Sequence, residues 1–179
     1  MKNVVIGLLL IGLTSLGFSQ NTGEIEEVQL EGVEISNVNL SYLEKVQDNV
    51  LPAVVISLEN EASVFDVKEL DEFDGRKKFF KVKFTSSKGY IIADYYRNGK
   101  IVKTSERFKD IALPKNLIRA VLKQYPKSSF LKVAYNVDYD GTTAEKIYRI
   151  KIMNDGKKKN LAINPEANLN NAVSVSLNK

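Results

Sequence analysis

This sequence predicts an α+β fold in which a helix-plus-antiparallel-sheet unit is written twice, a tandem repeat with the helices packed on one face of a curved sheet. Three observations predict it. Phe80-Lys81-Val82-Lys83-Phe84 and Tyr148-Arg149-Ile150-Lys151-Ile152 carry the same alternation 68 residues apart, continued at that spacing by Ala93/Leu161, Tyr95/Ile163 and Ile101/Leu169. Leu51-Pro52 and Leu113-Pro114 each open a helix-like segment, 62 residues apart, so the second copy carries about six extra residues before its hairpin. The runs that follow each helix alternate with period two and are bounded by Asp74-Gly75, Lys88-Gly89, Asn98-Gly99, Asp140-Gly141 and Asp155-Gly156, which are hairpin signals.

The first twenty residues join Lys2 to an apolar run, Val4 to Leu13, and then Gly17-Phe18-Ser19 before Gln20. This is the pattern of a secretory signal peptide over residues 1–19, and the apolar run is shorter than the roughly 20 residues a membrane span needs. Residues 20–40 read as an extended arm, with Val28, Leu30, Val33, Ile35, Val38 and Leu40 mostly alternating around Gly32.

The first unit, 41–109, opens with a helix over Ser41 to Asn60. Ser41 is placed to cap it, Glu44 stands at the capping-box position, and Pro52 kinks the helix or divides it in two. Strands are then expected at Ser63–Val67, Lys77–Thr85, Tyr90–Tyr96 and Lys100–Phe108. The second unit, 110–179, begins with Pro114 at a first helical position, where its missing N–H costs nothing. Leu117, Ile118, Val121, Leu122 and Tyr125 form one face of that helix and Pro126 ends it. Strands follow at Ser129–Asp138, Lys146–Met153 and Lys157–Asn164, then an Asn-rich tail that frays, with room for a short strand at Val173–Leu177.

Alternation assigns the faces. Phe80, Val82, Phe84, Ile91, Ala93, Tyr95, Tyr148, Ile150, Ile152, Leu161 and Ile163 point at the helices. Phe79, Lys81, Lys83, Tyr90, Asp94, Tyr96, Arg149, Lys151, Lys158 and Asn160 line the solvated side.

Composition narrows the chemistry. The net charge of +4 hides a division: residues 21–75 hold 14 Asp/Glu against 2 Lys/Arg, residues 76–179 hold 8 against 23. Acidic and basic surfaces of one domain explain this, as does a basic face for an anionic partner. Cysteine is absent, so neither disulfides nor a lipid-bearing cysteine is available, and an exported, periplasmic or secreted protein with no transmembrane anchor after cleavage is expected. Histidine is absent too, which removes the commonest general base and every Ser-His or Cys-His nucleophile. Gly99-Lys100 and Gly156-Lys157 lack the rest of a phosphate loop.

Ser129-Phe130-Leu131-Lys132 matches a Ser-x-x-Lys pattern, but lies in an expected strand, where residues i and i+3 face opposite ways, and lacks the companion motifs. Glu69, Asp71, Glu72 and Asp74, and again Asp138 and Asp140, offer oxygens to a hard cation; the second pair lacks the Gly and Glu of a calcium loop and fits a hairpin turn. Lys157-Lys158-Lys159 reads as a solvated hairpin tip. No catalytic group, metal or cofactor is expected.

The run from Tyr90 to Val102, continuing into Ile111-Ala112-Leu113-Pro114 and Leu122-Lys123-Gln124-Tyr125-Pro126, and the later Tyr148-Arg149-Ile150-Lys151-Ile152 with Asp155-Gly156, resembles the PepSY-like (β-lactamase-inhibitor-like, BLIP-like) secreted bacterial domains over residues 41–169. The resemblance implies tandem helix-plus-sheet units and a concave sheet face that binds proteins in some relatives. It carries no catalytic residues. The expectation is a non-catalytic module holding a protein partner, with inhibition as one outcome, through Phe79, Lys81, Lys83, Tyr90, Tyr96, Arg149, Lys151 and Lys158. The alternative is an anionic-polymer or envelope-surface binder using the basic portion; nucleic acid is not expected.

Overall fold

The computed structural model describes residues 38–166, so the signal peptide, nearly all of the arm, Leu169 and the strand expected at 173–177 lie outside the described residues. Within them, helices α1 (Leu40–Val46) and α2 (Ala53–Val64) and a single 3₁₀ turn (Val67–Glu69) precede strands β1 (Phe79–Ser86), β2 (Gly89–Tyr96) and β3 (Ile101–Lys109). Helix α3 (Lys115–Gln124) then leads to β4 (Ser129–Tyr139), β5 (Ala144–Asn154) and β6 (Lys157–Ile163). All six strands form one open antiparallel sheet in chain order, each paired with its sequence neighbour.

Pro52 divides the first helical segment, as its ring and missing N–H require. It sits extended at the head of α2 with φ −61° and ψ 143°. The cap of α1 is Asn39 rather than Ser41, and no side chain closes a capping bond there, so the expected capping box does not form. Asn39 instead ties three segments together. Its amide donates to the carbonyls of Ser63 (2.9 Å) and Gly99 (3.0 Å), and its oxygen accepts from the Ile101 N–H (2.7 Å).

The strand expected at Ser63–Val67 is also corrected. Helix α2 runs on to Val64, and the chain then turns through Val67–Glu69, where Asp66 accepts from the Lys68 N–H. Buried residues on α2 recur at 55, 58, 59, 62 and 63, a helical spacing that carries Ser63 with it.

Helices α1 and α2 pack on each other, α1 against β4 and β5 and α2 against β1 and β2. Helix α3 buries Leu117 and Val121, and the Lys159 ammonium lies 4.7 Å above the Tyr125 ring at its end. Lys159 is therefore on the helix side of β6; the tip of that hairpin is Asp155-Gly156, both at positive φ. On the same side Phe80, Phe84, Ile91, Ala93, Tyr95, Tyr148, Ile150, Ile152, Leu161 and Ile163 are buried, and Val82 packs against them partly buried, as alternation requires.

An offset of 68 residues carries β1 onto β5 and β2 onto β6, while β4 maps onto positions 61–71, where α2 ends and the 3₁₀ turn follows; among the described residues two helices precede β1 and one separates β3 from β4.

Candidate functional site

The outer sheet face is the side left uncovered by the helices. The register sorts the sequence-selected residues on it into two groups. At one end Phe79 stands opposite Tyr96, with ring centres 4.9 Å apart; Phe79 is 50% exposed, so an apolar surface remains in water. The Lys78 ammonium lies 5.4 Å from the Phe79 ring and that of Lys83 lies 4.9 Å from the Tyr90 ring, within reach of cation–π attraction. Lys81 faces Asp94 on β2 at 3.5 Å, an exposed and therefore weak pair.

The other group, Arg149, Lys151 and Lys158, lies on β5 and β6. Strands β2 and β5 are three strand spacings apart, about 14 Å. Between them Arg107 grips Asp138 through one guanidinium nitrogen at 2.9 Å to both carboxylate oxygens.

Lys132 joins the second group, and sequence reasoning missed it. Lys132 alternates with Val133 and shares the outward side of Ala134, Asn136 and Asp138. The register of β4 slips between Phe130 and Lys132: Phe130 pairs with the buried Ile152, but Lys132 pairs with the exposed Lys151. A bulge at Leu131 turns Phe130 inward, out of the alternation of the rest of the strand, and leaves Lys132 outward. The same slip places Ser129 and Lys132 on one face, contrary to the alternation argument, yet they occupy a strand and stand opposite Met153 and Lys151, two rows apart.

One row further along, Ala134 and Ala162 flank Arg149 from β4 and β6. Their short side chains leave a groove of about 260 Å³ bordered by Lys132, Arg149, Lys151 and Asn160. A second groove, running past Tyr90 and Lys109, shares Lys132 and Ala134 with it. With the Asn136 amide turned to satisfy both of its ends, its oxygen accepts from Arg149 Nε at 3.1 Å and its nitrogen donates to the Tyr135 carbonyl at 3.2 Å. That contact uses the inner edge of the guanidinium and leaves the terminal fork toward solvent.

The helix side holds a polar cluster of a different kind. Glu59 of α2 and Glu106 of β3 are both fully buried. Glu106 Oε1 accepts from the Tyr42 hydroxyl and the Thr104 hydroxyl, each at 2.8 Å. Its other oxygen and both oxygens of Glu59 have no donor if both groups are ionised. A proton on one of the two carboxyls removes one of these charges and supplies one of the missing donors. Burial, then the Glu106 charge, pushes Glu59 up to about 9; burial raises Glu106 to about 7, against the Thr104 and Tyr42 hydrogen bonds. At neutral pH Glu59 is therefore the proton donor of the pair. Lys146, also buried, reaches Glu166 at 2.8 Å.

This pair had a trace in the sequence, since Glu59 lies four residues after Val55 on the apolar stripe of α2 and Glu106 alternates with Phe108. Nothing in residue spacing predicts that the two meet.

The acidic loops act as turns. Asp74 accepts from the N–H groups of Arg76 and Lys77, and Glu72 pairs with Lys77 at 2.8 Å. Asp140 accepts from the backbone and hydroxyls of Thr142 and Thr143, which holds its carboxyl well below the usual range. Among the described residues no group of three or more His, Cys, Asp or Glu side chains is arranged to hold a metal ion, and no helix is long and apolar enough to cross a membrane. No family model matches the chain, and neither a curated protein nor a solved structure is significantly similar to it.

Proposed function

We propose that this chain is an exported, non-catalytic binding module of PepSY-like type that holds a protein partner on its outer sheet face. The observation that carries the reading is the Phe79–Tyr96 pair, an aromatic surface half in water on an exposed sheet face with the Lys78 ammonium beside the Phe79 ring. Aromatic residues flanked by cations are the composition of interface hot spots. The buried carboxylates do not compete for the role of an active site, because Glu59 and Glu106 have no exposed surface for a substrate to meet.

The positive surplus after residue 75 supports a second reading, an anionic-polymer binder. Asp94 and Asp138 weigh against it, since they break the basic face where a uniformly charged chain would lie. Charge reversal of Lys81 and Lys151 together with Tyr96→Ala is expected to abolish capture of the partner from an envelope extract while the melting temperature stays within a few degrees. Unchanged capture overturns the proposal. Capture of polymer instead of protein, falling steeply with salt, is the mark of the second reading.

A further inference from the structure

Lys132 and Lys151 stand directly opposite each other on an exposed face, an arrangement that costs a sheet stability. Among the described residues no ion pair involves Lys132, Arg149 or Lys151. Lys132 keeps the register and outward parity of Ala134, Asn136 and Asp138, so the regular part of the strand itself sets the two ammonium groups face to face. Beside the two ammonium groups lies Arg149, held by Asn136 through Nε so that its two-pronged end is presented over the groove between Ala134 and Ala162.

We propose that this groove is the subsite for an acidic segment of the protein partner, with one carboxylate seated on the Arg149 fork and a second shared by Lys132 and Lys151. The inference rests on the outer face being a protein-docking surface and names the chemistry that part of the partner must have. The fork matches a carboxylate with two parallel hydrogen bonds, which a lysine in that place would not. The alanine floor admits the backbone of an extended chain. Three cations gathered at one point, with Asp138 on the same face two strands away from β6, suit a short cluster of acidic side chains rather than an unbroken polyanion.

The test is fluorescence anisotropy with a labelled decapeptide of alternating Glu and Gly, run beside inorganic tripolyphosphate as competitor. The peptide is expected to bind the intact protein, and Arg149→Ala is expected to weaken it about tenfold or more. Arg149→Lys, which keeps the charge and removes the fork, is expected to fall close to Arg149→Ala. Lys132→Ala is expected to weaken binding while leaving the melting temperature equal or higher, because the repulsion with Lys151 is gone.

Absence of peptide binding, equal binding by Arg149→Ala, or displacement by tripolyphosphate at far lower concentration than by free peptide overturns the inference. Capture of the partner separates that failure from a wider one. If Phe79→Ala and Tyr96→Ala still reduce capture, the docking face stands without its acidic subsite. If they do not, the docking face falls as well.

Discussion

The two sides of one sheet treat charge in opposite ways. On the helix side, Glu59 and Glu106 are sealed from water and share a proton, and Tyr42 and Thr104 supply hydrogen bonds. On the outer side, Lys132, Arg149 and Lys151 stand in water with no ion-pair partner among the described residues. Burial makes ionisable groups structural by removing their charge or satisfying it. Exposure leaves charge available to something outside the molecule.

Neighbours along β5 give the strongest way to break this comparison. Ile150 is 1% exposed and lies between Arg149 and Lys151, both solvent-facing. Ile150→Ala is expected to cost about 4 kcal/mol in denaturant unfolding through lost burial and a residual cavity. Lys151→Ala is expected to change stability by less than about 0.5 kcal/mol. Similar losses at the two positions would mean that the sheet does not separate a buried from a solvated face.

The carboxylate pair sharpens the contrast through pH. Both groups have folded values above the ordinary 4.5, so their contribution is fully present below about pH 4.5 and is lost as pH rises through about 7 and on to about 9. The unfolded chain releases these protons first, and stability therefore falls with rising pH. A drop of several kcal/mol between pH 5 and pH 9 is expected from urea midpoints, with Glu59→Gln making the decline shallower by removing one of the two titrating groups. A pH-independent midpoint would remove the shared proton.

Asn39→Ala is expected to cost about 2 kcal/mol, since its amide bonds α1 to the end of α2 and to the β2–β3 turn and those buried hydrogen bonds are lost. Scanning calorimetry measures it. A loss below about 0.5 kcal/mol would make Asn39 an ordinary helix start.

How much of this was legible beforehand follows from which residues obey a simple period. Tyr148, Ile150 and Ile152 alternate without interruption, and their inward side follows from the sequence alone. Pro52 likewise announces the break between α1 and α2. Phe130 was unreadable because one extra residue at Leu131 inverts the parity of everything before it, and no side chain in that run marks the slip; Lys132 follows the plain alternation of Ala134, Asn136 and Asp138. Ser63–Val67 misled for another reason: its β-branched and aromatic members suit a strand, but Ala62 and Ser63 finish a helical stripe that tertiary contact with β1 and β2 stabilises. The Glu59–Glu106 meeting depends on how α2 lies over the sheet, information held in no single segment.

The strict nearest-neighbour order of the sheet has a kinetic consequence. Each strand pairs with the one made just before it, so the hairpins can zip successively over short chain separations, and only the β3–β4 pairing must wait for α3 to be bridged. The long closure is that of α1, which must find β4 and β5 some hundred positions downstream, where Tyr42 meets Tyr139 with ring centres 5.4 Å apart. Refolding should therefore show early formation of the meander, with the slow phase reporting when the amino-terminal helix lands on it.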